Sequence, residues 1–477
     1  MSIKNVLMSK KIVINKGYIM KQFYKKLNVL IIFTCLVYTN SFALTKNESI
    51  IPPELQKKLE EVYVRIKSDY VDNIDDKKLV EGAINGLVTN LDPHSSYLDI
   101  DAQKDFTAAT SGEFSGVGID TGMEDGLVRV VSPIEDSPAY KAGLKTGDLI
   151  FEINDRNVKG MSLSEAINKI RGPKGTTVKL SVLRKKTTSP LFFSIVRETI
   201  KNPSVKFKLS NQDYPYLRIT QFQENTGVDL AKNLKLISEQ NKGPLKGLVL
   251  DLRNNPGGMV SSAVAVAAAF LEKDKLIVYS EGKTNNAKMK LFANPYNYVE
   301  GGEKNDYLSD IPTEYKKIPI VVLVNNGSAS AAEIVAGALQ DHKRATILGT
   351  QTFGKGTIQQ LFPLKTGSAV KITIARYYTP SGRSIQAKGI LPDFIAEDPS
   401  ELSDTPTAKS YESSYKNHLE NEKESTRQQS SAKVVKLSAE NKKIFSDKSS
   451  FETGTKADYQ FVEAIQLLEG KALDIEK

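Results

Sequence analysis

The chain has 477 residues, several times the size of one ordinary domain, so about two to four domains are expected. Hydrophobic residues make up 40% and charged residues 25%, which excludes collagenous, disulfide-scaffold and wholly disordered classes. The formal net charge of +9 is concentrated at the start: Lys4, Lys10, Lys11, Lys16, Lys21, Lys25 and Lys26 lie within residues 1–43, which hold no Arg, Asp or Glu, and the remainder carries 58 basic against 56 acidic residues. That balance gives no phosphate-binding field, and no nucleic-acid partner is expected.

Residues 1–43 read as a secretion signal: a basic stretch ending at Lys25 and Lys26, an apolar run from Val29 to Tyr38, and Ser41, Phe42 and Ala43 as a small-x-small cleavage site. Met20 is a possible alternative start of translation. The apolar run is short against the ~20 residues a membrane span needs, so a retained anchor is the weaker reading. Cys35, the only cysteine, lies inside this run, and Thr34 before it does not suit a lipoprotein attachment site. The processed chain then has no thiol, and His94, His342 and His418 come without an H-E-x-x-H pattern. Disulfides, cysteine nucleophiles and zinc chemistry drop out, and no metal or organic cofactor is expected.

Residues 52–102 fit a helical unit, with Leu59, Val62, Val64 and Ile66, then Leu79, Ile84 and Leu87, on two amphipathic stretches. It ends in L-D-P-H-S-S-Y-L, where Pro93 restricts its predecessor to extended geometry and His94 reads as structural or capping. From 104 to 187 the pattern changes to short strands and turns: G-V-G-I at Gly116 to Ile119, L-V-R-V-V, S-P-A-Y-K-A-G-L, G-D-L-I-F-E-I-N and V-K-L-S-V-L-R. With Pro138, Ala142, Gly143, Gly147, Asp148 and Asn154 at their spacing, this segment resembles a PDZ domain. The N–H groups around Gly116, Val117, Gly118 and Ile119 can hold a peptide carboxylate, beside a strand edge open to β-augmentation.

Residues 200–398 alternate apolar strands and helical patterns, which predicts an α/β core with mainly parallel pairing. Within it, 282–310 reads as a loop insertion. Residues 400–450 are rich in Ser, Lys, Glu and Asn and read as a flexible segment. Residues 451–477 hold a last helix, Asp458 to Ala472, expected to dock back.

Three segments of this core could carry chemistry. In I-P-I-V-V-L-V-N-N-G-S-A-S-A-A-E, a buried strand turns at Gly-Ser into an Ala-rich helix, so Ser330 would sit at a helix N-terminus where free N–H groups and the dipole favour an oxyanion. The plain alternative is that Ser328 and Ser330 only cap the helix. In T-F-G-K-G-T-I-Q-Q, Lys355 lies between two glycines ahead of an apolar strand, and it can act as a base only if burial and neighbours lower its pKa. The P-loop pattern G-x-x-x-x-G-K-[ST] is not met, which argues against a nucleotide enzyme. In V-L-D-L-R-N-N-P-G-G, Gly257 and Gly258 can turn a backbone N–H into a cleft, or simply make a tight turn.

Together the three segments resemble the carboxy-terminal processing (tail-specific) serine peptidases, with a PDZ domain ahead of the catalytic core, over roughly Pro52 to Asp393. The resemblance implies Ser330 as nucleophile, Lys355 as general base, and the N–H groups of Ala331 and Gly258 as oxyanion donors. For a third member it implies either Asp341 or Gln359. Eleven helical residues separate Ser330 from Asp341 by ~16 Å of rise, and four strand residues put Gln359 ~13 Å from Lys355 unless the chain bends at Gly356. Gln359 is therefore favoured. Where the family usually has Ser, this chain has Ala332.

The expected protein is thus a periplasmic or otherwise secreted endopeptidase that binds nonpolar C-terminal tails in its PDZ groove and cleaves through an acyl-enzyme. A catalytically inactive PDZ adaptor is the alternative. Similar proteins suggest a homodimer, supported by the N-terminal unit and last helix, and peripheral membrane association is the remaining partner expectation. Arg171, at the domain edge in K-I-R-G-P-K-G, is a candidate reporter of PDZ position.

Overall fold

A computed structural model describes residues 51–475, apart from residues 135, 186, 188, 210–212, 242, 400–409, 422–431, 439–440, 442–443 and 446–451. The expected signal segment 1–43 lies outside the described residues. No helix among those described is long and apolar enough to cross a membrane. The chain divides after Gly82 into two units. In the first, the helix Pro53–Asp69 opens with Pro at its first position, where the missing N–H costs no hydrogen bond. The helix Asp76–Thr89 runs from the first unit into the second.

The second unit contains the segment that resembles a PDZ domain and the α/β core. Strands Ile119–Glu124, Leu127–Pro133, Leu149–Ile153, Thr177–Leu183 and Leu191–Val196 form one antiparallel sheet in the order of pairing 119–124, 127–133, 149–153, 177–183, 191–196. Alternate residues such as Val128 and Val130, or Val178, Leu180 and Val182, are fully or almost fully buried, as a sheet packed on one face requires. Asp148 is 1% exposed and is matched by Arg184, whose Nε and Nη2 donate to it at 2.7 and 2.8 Å. A two-stranded ribbon, Glu113–Gly116 with Glu198–Lys201, leads the chain into and out of this domain.

The core contains two sheets. In the first, strands Tyr216–Ile219, Leu248–Asp251, Ile320–Val324, Thr346–Gly349, Phe394–Ile395 and Lys433–Val434 run parallel, with Val205–Lys208 antiparallel at one edge. Every residue of Leu248–Asp251 and Ile320–Val324 is buried, the signature of strands covered on both faces. One face, through Leu248, Leu250, Val322 and Val324, packs against the helices Thr226–Gln240, Val260–Phe270 and Ala331–Asp341. The other, through Val249, Val321 and Leu323, packs against Phe461 and Ala464 of the C-terminal helix Tyr459–Leu468.

The second core sheet departs from the expected parallel pairing. Strands Ser96–Leu98, Ala369–Tyr378, Leu276–Gly282 and Lys290–Phe292 pair antiparallel, and Thr357–Pro363 forms a hairpin with Ala369–Tyr378. Residues 357–378 are joined by a short turn, which permits only antiparallel pairing. The stretch 282–310 is a loop insertion bearing the strand Lys290–Phe292 and three single 3₁₀ turns. Two pieces of the segment 400–450 are built into the core rather than flexible: Lys433–Val434 adds a strand, and 410–421 buries Glu412 to 1% exposure.

Candidate active site

All three chemistry-bearing segments leave the C-terminal ends of neighbouring parallel strands: 252–258 follows Leu248–Asp251, 325–330 follows Ile320–Val324, and 350–356 follows Thr346–Gly349. That edge is where open α/β sheets gather their ligand-binding loops. Backbone and side-chain bonds lace the loops together. Asn325 Oδ1 accepts from the N–H of Asn254 at 2.8 Å, Ala329 N–H donates to Asn255 O at 2.9 Å, and Phe353 N–H donates to Ser328 O at 3.0 Å.

The two serines of the turn separate cleanly. Ser328 is fully buried and its hydroxyl donates to Leu252 O at 2.8 Å while accepting from Asn325 N–H at 3.0 Å. Ser330 is half-buried and stands immediately before the helix Ala331–Asp341, with φ of 54° and ψ of −114°. A left-handed φ on a residue with a Cβ costs on the order of 1–3 kcal/mol and marks a position held by its surroundings. Gly257 makes the room. With φ of 98°, a Cβ there would fall 2.7 Å from Ser330 Cβ and 3.0 Å from Ala331 N.

Gly258 has φ of 139°, and a Cβ would lie 2.0 Å from Phe222 O, so only glycine fits. Its N–H and that of Ala331 donate to no acceptor among the described residues. Ala331 opens the helix directly after Ser330 and Gly258 follows the glycine packed against Ser330, so both N–H groups are candidate oxyanion donors.

Glu333, three residues after Ser330, ties the Ser330 turn to the lysine loop. Fully buried, its carboxylate accepts from Ser330 N at 2.7 Å, Lys355 N at 2.9 Å, Gly354 N at 2.7 Å and Thr352 Oγ1 at 2.5 Å. Burial pushes the Glu333 carboxyl up to about 7, against the opposing pull of those four donors. Tyr377 reaches the lysine loop from the other sheet, its hydroxyl donating to Lys355 O.

Lys355 is half-buried between Gly354 and Gly356, both of which need to be glycine: a Cβ on Gly356 would lie 2.4 Å from Gln386 N, and on Gly354 3.0 Å from Gly389 N. Burial pushes the Lys355 amine down to about 8, helped by Lys371 and opposed by Glu412, Asp92 and Glu333. An amine near that value is partly neutral at physiological pH and can accept a proton. No direct hydrogen bond between the Ser330 hydroxyl and the Lys355 amine is formed among the described residues. Glu333 bonds the backbone N–H of both residues, and without substrate such catalytic contacts are often long.

Neither candidate third residue hydrogen-bonds Lys355. Asp341, at the far end of the helix, accepts from Arg383 Nη2 and from Ser381 N at 2.8 Å. Gln359 donates to Thr357 Oγ1 at 2.9 Å and Thr373 Oγ1 at 3.0 Å, beyond a register shift between Ile358 and Gln359. Thr373 in turn donates to Asp92 Oδ1 at 3.1 Å.

In the PDZ domain, Gly116 ends the ribbon strand, Val117 is buried, and Ile119 begins the edge strand Ile119–Glu124. The N–H groups of Val117 and Gly118 donate to no acceptor among the described residues. A Cβ on Gly118, with φ of 79°, would lie 2.3 Å from Ser137 Cβ. Arg171 forms an ion pair with Asp105 of the helix Ile100–Ser111 and lies over the Phe114 ring at 5.6 Å.

Comparison with known proteins gives the family. Residues 213–396 match the model of Peptidase family S41, 129–184 that of a PDZ domain, and 17–102 that of the activating protease CtpB N-terminal domain. A carboxy-terminal-processing protease of Bartonella bacilliformis is 47% identical over 342 residues, covering 71% of this chain and 74% of the relative. The chain belongs to peptidase family S41. Two further relatives, the carboxy-terminal processing proteases CtpB and CtpA of Bacillus subtilis, are each 38% identical, over 73% and 77% of this chain and 69% and 74% of theirs. Among solved structures, a photosystem II D1 C-terminal processing protease is similar at 29% identity, over 72% of this chain and 86% of that one, with a TM-score of 0.41. As an S41 member the chain is a serine-type peptidase with an α/β core and a PDZ domain, and not an adaptor.

The sequence alone did not single out Glu333, Tyr377, Gln386 or Glu412. Glu333 had a local signal, since Ser followed three residues later by Glu is the pattern of a helix capping box. The others reach the site from strands and loops distant in sequence.

Proposed function

We propose that this S41 peptidase is exported, binds the nonpolar C-terminal tail of a protein substrate in its PDZ groove, and cleaves that substrate by Ser-Lys chemistry. The tail would add as a strand along Ile119–Glu124, its carboxylate meeting the N–H groups of Val117 and Gly118. At the core, the neutral Lys355 amine takes the proton of Ser330 as Oγ attacks the scissile carbonyl carbon. The tetrahedral oxyanion is held by the N–H groups of Gly258 and Ala331. Its collapse breaks the C–N bond, the Lys355 ammonium returns the proton to the leaving amine, and water then hydrolyses the acyl-enzyme with Lys355 again as base.

The observation that carries this reading is the junction at Ser330. A strained serine and a lysine lowered by burial are tied together through one carboxylate, Glu333, and the unspent N–H of Ala331 comes next in the chain. The test is cleavage of a nonpolar tail peptide by the parent, Ser330→Ala and Lys355→Ala. Both variants should lose activity by several orders of magnitude, since nucleophile and base act as a unit. Full activity in either would overturn the mechanism. Asp341→Asn and Gln359→Ala in the same assay rank the two remaining candidates, with Gln359→Ala expected to be the more damaging.

A further inference from the structure

Residues 410–421 form a strap along the lysine loop. Glu412 N–H donates to Phe353 O at 3.0 Å, two residues before Lys355, and the Tyr415 ring lies 5.9 Å from that of Phe353. The Leu419 carbonyl accepts from Gln386 Nε2 at 2.8 Å, and Asn421 Nδ2 donates to Gln386 O at 2.8 Å. Gln386, fully buried, accepts from Gly356 N–H through Oε1 at 2.9 Å and donates from Nε2 to Glu412 Oε1 at 3.0 Å. The strap thus contacts the chain on both sides of Lys355, directly at Phe353 and through Gln386 at Gly356.

The Glu412 side chain is 1% exposed, and its second oxygen meets His94 Nε2 at 2.7 Å. Burial alone would push the Glu412 carboxyl up, but hydrogen bonds from His94 and Gln386 and the charges of His94 and Lys355 outweigh it and hold the group below its ordinary value. Glu412 is therefore an anion fixed in place at neutral pH. The charged and titratable groups facing this region are Lys371, Asp92, Glu333 and Tyr377 around Lys355, with His94 beside Glu412.

We propose that Glu412, delivered by the strap, is a positioning residue that fixes the Lys355 loop and stabilises the ammonium Lys355 becomes on accepting the Ser330 proton. The inference rests on the Ser-Lys reading above. When that proton arrives, a positive charge develops beside Lys371, and a preorganised anion opposes its cost without reorientation. Asp92 is the other anion on this side. It is bound by Ser95 Oγ at 2.7 Å and by Thr373 Oγ1 at 3.1 Å.

The test uses the full chain and a nonpolar tail peptide, comparing Glu412→Gln with the parent across pH. Expected are a fall in kcat of about 10-fold or more with KM little changed, and a rising limb whose midpoint moves to lower pH, because an anion that favours the ammonium is gone. Glu412→Asp should recover part of the rate. If Glu412→Gln does not fold, Glu412→Asp, which draws the anion back from Lys355, carries the test, with kcat expected between parent and loss and the midpoint moved part of the way to lower pH. An unmoved limb with rate and thermal stability falling together reduces Glu412 to a structural role and overturns the proposal. Hydrogen exchange of residues 352–356 in a Ser330→Ala background separates the two readings. Faster exchange on adding Glu412→Gln supports the strap whatever Lys355 does, and full activity in Lys355→Ala overturns the base assignment alone. Parent kcat and midpoint in Glu412→Gln, with Lys355→Ala inactive, overturn the role of Glu412 alone.

Discussion

Ser330 combines its proposed chemical role with a conformational cost. Its φ of 54° suits glycine, so Ser330→Gly should unfold at higher denaturant than Ser330→Ala by about 1 kcal/mol while both are inactive, measured by urea unfolding. Equal midpoints would mean that the junction stores no strain. Glu333 gives a pH signature. Its folded-state pKa, near 7, lies above the ordinary carboxyl value, so its stabilising contribution is present in acid, declines as pH rises from about 4.5, and is lost through about 7. Glu333→Gln should flatten that part of the stability profile and lower kcat, because a neutral amide cannot accept from four donors as a carboxylate does.

The elements that matter most are strand ends. A sequence reading finds buried strands followed by Gly-rich turns, and with them Ser330, Lys355 and the glycine pair, because strand burial, helix starts and turn chemistry are local signals. It does not find Tyr377, Gln386 or Glu412, which reach the site through long-range pairing such as that of Thr357–Pro363 with Ala369–Tyr378. The polar composition of 400–450 read as flexible because composition does not register a single buried Glu with its partners already in place. Gly258→Ala belongs to this scale. With a Cβ 2.0 Å from Phe222 O, the loop must move, and cleavage should fall by at least ~10²-fold, the usual cost of one misplaced oxyanion donor. Gly118→Ala, crowding Ser137 in the PDZ loop, should instead raise KM for tail peptides and leave kcat nearly unchanged, as steady-state kinetics would show.

At the scale of the molecule, the C-terminal helix stabilises the active-site loops from behind the sheet. Arg253, beside the Asn254–Gly258 turn, is buried and bonds Asp251 Oδ2 at 2.8 Å and Asp458 Oδ2 at 2.6 Å. Asp458 also caps the last helix, accepting from Phe461 N at 3.2 Å. Asp458→Ala would leave a buried guanidinium half-matched and uncap the helix, at a cost of about 3 kcal/mol in urea unfolding, with Asp458→Asn intermediate. Docking of the last helix was legible as an apolar stretch near the end of the chain. The ion pair that anchors it was not, since Arg253 and Asp458 are far apart in sequence.

The central claim, that Lys355 is the proton acceptor, is tested most directly by following the ¹⁵N-labelled Lys355 amine by NMR in Ser330→Ala and comparing its titration with the pH dependence of kcat/KM in the parent. The account predicts that the amine titrates near 8 and that the rate rises with pH through the same midpoint. An amine titrating near its ordinary 10.5, under a rate already level at neutral pH, would contradict it.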